Sequence, residues 1–210
     1  LRFIHDYIPN YGISIILLTC AIKILFVPLQ YKSYKSMRMM RVIQPKIKEV
    51  QEKYKGDRDR LNKELMKLYR DQKVNPLGGF LPMFLQMPVF IALFNVLYTS
   101  IDLRQAPFML WVTDLSLQDP FYVLPILMGA TMFIQQKITP TTMDPTQAKI
   151  MLVLPIGLTF LFINFPAGLV LYWVTNNILT ISQQLITDRF LLTDKALASA
   201  GAEQSSSPNA

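Results

Sequence analysis

Two residue types that build many active sites are nearly missing from this chain. It has one histidine and one cysteine in 210 residues. His5 lies near the start and Cys20 inside an apolar run. Residue supply therefore argues against His/Cys metal clusters and histidine acid–base chemistry. A single cysteine also leaves no disulfide framework. Acids are scarce where they would matter most, because no Asp or Glu interrupts any long apolar stretch. No GxSxG, HExxH or nucleotide-binding motif occurs, so the expectation is a protein that is not an enzyme and needs no metal or cofactor. Charged residues overall are only 17%, against 51% hydrophobic, an apolar excess over what a soluble core of this size requires.

What is present begins with Gly12–Leu29, GISIILLTCAIKILFVPL, an apolar run long enough to cross a bilayer. Lys23 interrupts it. By helix rise it lies roughly 16 Å from one end of the run and about 9 Å from the other. A charge at such depth costs ~2.5–3.5 kcal/mol on insertion scales, so it should face water, a counter-charge or a substrate. Before this run, Leu1–Tyr11 reads as an amphipathic lead-in with interfacial aromatics. The opening lacks a start methionine and a signal-peptide pattern, and the chain is expected to be a piece of a longer protein.

After Pro28 the material changes. Gln30–Leu77 holds 14 of the 21 Lys and Arg against 6 acids. Ile43, Ile47, Val50 and Tyr54, then Leu61, Leu65 and Leu68, repeat at helical spacing. Gly56 and Asp57 between them read as a helix stop and an N-cap. The expectation is a helical hairpin over about 43–74, outside the membrane, after a first span that closes at Pro28. Asn75-Pro76-Leu77-Gly78-Gly79 is turn chemistry that returns the chain to the bilayer. Further spans are expected at about 80–100, 121–136, 150–165 and 169–186, with Trp111 in the intervening loop as an interfacial aromatic. Residues 193–210, rich in small and polar types, read as a disordered tail. The fold class is thus an all-α polytopic membrane protein of five transmembrane helices plus a cytoplasmic helical hairpin. With the hairpin cytoplasmic, 18 of the 21 basic residues fall inside, which sets the N-terminus outside and the C-terminus inside.

Depth counting groups the polar residues of the spans. Lys23, Gln86 and Asn177 fall in one layer on the cytoplasmic side of the midplane, with Asn176 beside them and Gln135 and Gln136 nearer the cytoplasm. The opposite halves hold mainly Ile, Leu, Val, Phe and Met. That gradient describes a wet hollow open to one side and sealed on the other. Each amide alone could equally be a helix–helix tie. Lys23 is harder to explain as structure, because no carboxylate lies in any span to pair with it.

QPKI at Gln44–Ile47, KVNPLGG at Lys73–Gly79, QMP at Gln86–Pro88 and LRQAPF at Leu103–Phe108 stand in this order. DLS at Asp114–Ser116, LPILMG at Leu124–Gly129 and FPAGLVLYW at Phe165–Trp173 follow. On these stretches the chain resembles the YidC/Oxa/Alb family of membrane protein insertases, in the membrane region carried by its bacterial members. The resemblance implies an insertase or chaperone domain over 1–192 in the bacterial inner membrane. It implies a hydrophilic groove open to the cytoplasm, with a cationic residue on the first span. That residue is usually arginine in the family; here it is Lys23, which keeps the charge but loses the bidentate fork. Gln86, Asn176, Asn177, Gln135 and Gln136 would line the groove. Phe90, Tyr172 and Trp173 fall on the family's substrate slide, along which a nascent helix leaves sideways into lipid. Partners implied are nascent membrane proteins, the bilayer, the Sec translocon and the ribosome, with no nucleic-acid specificity. The tail does not resemble the long basic tail by which some members bind ribosomes. The rival reading is a small anion transporter or channel, which would require a hollow reaching both faces and usually internal repeats.

Overall fold

The computed structural model describes residues 1–75, 78, 81–99, 103–139 and 145–191. The described residues are helical, with no strand among them and one isolated antiparallel bridge, Gln118 to Pro166. In order they form α1 (Arg2–His5), α2 (Tyr11–Lys53), α3 (Arg58–Asp71), α4 (Leu81–Thr99), α5 (Val123–Ile138), α6 (Pro145–Phe162) and α7 (Ala167–Ile186). A π-helical turn, Thr187–Leu191, continues α7. The expected tail and residues 140–144 of the link before α6 lie outside the described residues. So do Pro76, Leu77 and Gly79 of the return turn, and Phe80 and Ser100 at the limits of the second span.

The apolar runs did become helices, and the first helix continues past Pro28, where the first span is expected to close. α2 runs unbroken for 43 residues with Pro28 and Pro45 inside it. A proline removes one i→i−4 bond, and the flanking turns, all strongly helical here, carry the helix past it. The change at Pro28 is one of surroundings rather than of backbone: the chain divides into two compact units, and Pro28 is the first residue of the second. By length and composition α2 is the one helix among the described residues that qualifies as a membrane span. Shorter apolar helical stretches are Phe84–Val96, Val123–Ile138 and Ile150–Phe162.

The first unit comprises Leu1–Val27, Met83–Thr139 and Met143–Gln183. Its core gathers Ile15 of α2, Leu93 of α4, Met128 of α5, Phe162 of α6 and Leu169, Val170 and Tyr172 of α7. Close helix approach is bought at Gly129 of α5, where the Thr159 side chain of α6 occupies the space a β-carbon would need. The loop 103–122 closes one end of this bundle. Its Leu103, Ala106, Val112 and Leu115 are buried in the same core. The Leu115 and Leu117 carbonyls accept from the backbone N–H groups of Gly168 and Ala167 at 2.9 and 2.7 Å. Asn10 Nδ2 donates to the Phe108 carbonyl at 2.7 Å, and the Phe108 ring lies against Gly12 where any larger residue would collide. Asp119, itself buried, accepts from the N–H groups of Phe121 and Leu124 at 3.1 and 2.7 Å and so caps α5. Trp111, expected as an interfacial aromatic, is half-buried on this loop. It packs against the core, and its indole N–H is sealed from solvent with no hydrogen-bond partner among the described residues.

The second unit holds the α2 segment from Pro28, α3 and the π-helical turn. Ile43 and Ile47 bury with Val74, packed against Leu65, Leu68 and Tyr69, so the two helical periodicities meet as a hairpin. Asp57 accepts from the Arg60 N–H at 3.0 Å and starts α3. Ser33 and Ser36 donate to the carbonyls of Gly78 and Asn75 at 2.6 and 2.8 Å, tying the return turn to α2. Arg38 pairs with Asp188 at 3.1 Å, and Tyr34 is buried close by. Burial, then the nearby Asp188 charge, pushes the Tyr34 phenol up to about 12.

Candidate functional site

α7 is the helix that the polar residues of the first unit converge on. Tyr172, Asn176 and Thr180 are spaced i, i+4, i+8, one stripe of its surface. Lys23 on α2 is 9% exposed, and its ammonium donates to Thr180 Oγ1 at 2.8 Å. The same hydroxyl donates to the Asn176 carbonyl at 2.6 Å. A hydroxyl that gives its proton to the backbone has its lone pairs free for a cation. The cation of α2 is thus positioned, and among the described residues the group it donates to is uncharged.

The two amides of the expected layer are held in the same manner on other contacts. Gln86 of α4 donates through Nε2 to the Tyr172 hydroxyl. Asn177 of α7 is buried and donates to Thr131 Oγ1 of α5 at 3.2 Å. Thr131 in turn donates to the carbonyls of Leu127 and Met128, both at 2.9 Å. Lys23, Gln86 and Asn177 are therefore not bonded to one another. Each reaches a hydroxyl on a neighbouring helix, and every one of these bonds has α7 on one side. Asn176, Gln135 and Gln136 are half-buried on α7 and α5.

The expected slide residues form part of an aromatic ladder. Trp173 meets Phe90 edge-on, centroids 5.2 Å apart and planes at 81°, and Phe162 at 5.1 Å and 61°. Such contacts each add about 0.5–1.5 kcal/mol beyond area burial. Phe90 and Trp173 keep part of their surface exposed. Tyr172 does not: it is 2% exposed. Its side chain forms part of the wall of an apolar cavity of about 390 Å³, lined also by Leu18, Thr19 and Ile22 of α2 and Pro88, Val89 and Ala92 of α4.

Sequence reasoning missed Thr180, Thr131 and the hydroxyl of Tyr172, the three oxygens that receive the polar groups it did find. The available signal was the 172/176/180 stripe, a polar face on an apolar helix. Chemically, the arrangement offers a fixed positive charge beside hydroxyl and amide groups within apolar walls. An anionic group drawn there would meet a cation that no carboxylate pairs among the described residues. Among the described residues no group of His, Cys, Asp or Glu could hold a metal ion.

Comparison with known proteins bears on this geometry. A sequence model of the family described as 60Kd inner membrane protein matches residues 3–194. The chain is 59% identical over 189 residues to the membrane protein insertase YidC of Geobacter sp. strain M21, covering 90% of this chain and 35% of that protein. It is 56% identical over 189 residues to the insertase of the same name from Francisella tularensis subsp. novicida strain U112, covering 90% and 34%. The chain thus spans about a third of the length of the curated relatives it matches. Its fold is similar to a crystal structure of an active YidC insertase with the first transmembrane domain resolved. The TM-score is 0.68 at 27% identity, over 86% of this chain and 43% of that one.

Proposed function

The chain belongs to the 60Kd inner membrane protein family, and from that premise we propose that it is the membrane core of an insertase. Its substrates are nascent membrane proteins, taken up from the cytoplasm and released sideways into lipid. The observation that carries the reading is Lys23, a buried cation held by Thr180 with no carboxylate partner among the described residues. A fold that keeps so costly a group unneutralised has a use for its charge.

In this reading α2 (to Pro28), α4, α5, α6 and α7 are five spans, and the α2–α3 hairpin lies in the cytoplasm. The distribution of Lys and Arg supports an outer N-terminus and an inner C-terminus. An acidic tail is drawn toward Lys23, while Asn176, Gln135 and Gln136 replace part of its hydration. Each polar group left unsatisfied in hydrocarbon costs several kcal/mol, so even partial replacement lowers the barrier. The apolar segment that follows packs against Phe90 and Trp173 and leaves between helices into lipid. Substrate hydrophobicity supplies the driving force, and no bond is made or broken. The loop 103–122, tied to α7 and to the start of α2, closes the far end of the bundle. The Sec translocon and the ribosome are the expected partners on this reading.

The test is complementation. In bacteria depleted of their own insertase, the full-length protein restores insertion of a single-span substrate with an acidic tail. A protein that accumulates in the membrane yet restores no insertion overturns the proposal.

A further inference from the structure

The loop 103–122 contains a feature that closing the bundle does not require. Val112 N–H donates to the Met109 carbonyl at 3.1 Å, and Phe108 N–H to the Val112 carbonyl at 3.0 Å, so Met109–Val112 is a tight turn. Its second residue, Leu110, has φ +55°. That position in such a turn favours Gly, Asn or Asp, which bear the left-handed backbone at little cost. Leucine does not, and this leucine is also 81% exposed. Two separate costs, a strained backbone and a large apolar side chain in the open, meet at one residue, which a water-facing turn would gain nothing by accepting. Met109 beside it is 51% exposed. Farther along the same loop Leu117, Phe121 and Tyr122 are exposed, and Tyr122 is again left-handed at φ +57°.

The turn is also fixed in place. The Phe108 carbonyl is held by Asn10 and the Phe108 ring is seated on Gly12, so the base of the turn is fixed beside the first turn of α2. That is where the apolar run of the first span begins. Arg104, Gln105, Thr113 and Gln118 are exposed on the same loop, giving the mixture of polar and large apolar side chains that suits a membrane boundary rather than its centre. The apolar rim continues an exposed belt on neighbouring helices, Ile126 and Ile134 of α5 and Ile156 and Phe160 of α6.

We propose that the Met109–Val112 turn is a lipid anchor: Met109 and Leu110 insert into the acyl layer just beneath the headgroups of the leaflet at the loop end of the bundle. The occupant is lipid, because the base of the turn is fixed where the apolar run of the first span begins. The anchor ties the loop that seals the bundle to the membrane surface, so the sealed end is held by lipid as well as by Asn10 and α7. It rests on the spanning reading above, and its test separates the two.

The full-length protein, with Cys20 replaced by serine, carries an environment-sensitive dye at Met109→Cys in phosphatidylcholine vesicles. The lipids are spin-labelled either near the headgroup or near the chain end. The dye is expected to be quenched most by the headgroup-proximal label, and several-fold less by aqueous iodide than a dye at Arg58→Cys. Adding Leu110→Asn, which suits the left-handed turn, should shift the Met109 site toward iodide. A dye at Ile134→Cys reports the belt. If Ile134 is quenched by lipid but position 109 answers only to iodide, the anchor is wrong and the spanning reading stands. If position 109 is shielded from both quenchers, a protein covers the turn and the anchor is equally wrong. If Ile134 escapes lipid quenching, the spanning reading itself fails.

Discussion

Replacing Lys23 by methionine should make the protein more stable and less useful. Methionine keeps the length and flexibility of the side chain and discards the charge. The charge costs ~2.5–3.5 kcal/mol at this depth. Its bond to Thr180, 2.8 Å long, returns ~1.5–3 kcal/mol, the usual worth of a hydrogen bond to a charged group. The difference leaves Lys23→Met about 1 kcal/mol more stable, which for a domain of this size raises the unfolding midpoint by about 2–4 °C. Thr180 loses only an uncharged acceptor role and keeps its bond to the Asn176 carbonyl. The paired assay is thermal unfolding in lipid nanodiscs and insertion of substrates differing only in tail charge. Insertion of the acidic-tailed substrate should fall while the neutral one is spared. Lys23→Arg, which preserves charge, should restore the acidic one. A midpoint lowered by several degrees, with both substrates equally impaired, would show that Lys23 is a structural tie and refute the reasoning.

Two further perturbations probe the scaffold. Gly12→Ala sets a methyl group into the Phe108 ring, and overpacking of this kind costs about 1–3 kcal/mol; the unfolding midpoint should drop, and an unchanged midpoint would mean the loop does not close on α2. Tyr34 in the second unit has its phenol pushed up to about 12 by burial and then by Asp188. The neutral form is favoured in the folded state, so this contribution is whole below about pH 10 and is lost as pH rises toward 12, about 2–3 kcal/mol in all. Tyr34→Phe should flatten that part of the stability–pH curve, and a curve of unaltered slope would count against the burial.

The chain's helices were legible because apolar runs and 3.6-residue spacing are local properties. Ile43 and Ile47 on one side and Leu65 and Leu68 on the other announced the hairpin, and Asp57 its second start. That one helix runs on through Pro28 was not legible for a physical reason: composition reports a change of surroundings, whereas helix continuity depends on backbone bonds on both sides of the proline. Lys23, Gln86 and Asn177 stood out because polar groups are costly in hydrocarbon. Their partners did not, since a threonine within a helix ordinarily bonds its own backbone, and which helices adjoin is not written in local spacing.

On the proposed function, a nascent chain passes from the Lys23 site along the aromatic ladder. A photo-crosslinking amino acid at Trp173, half-exposed beside Phe90, tests it with a ribosome-held single-span substrate. The expected result is an adduct from position 173 that weakens in Lys23→Met when the tail is acidic, and little from Ile134 on the exposed face of α5. Equal adducts from both positions, or none from position 173 while the substrate still inserts, would contradict it.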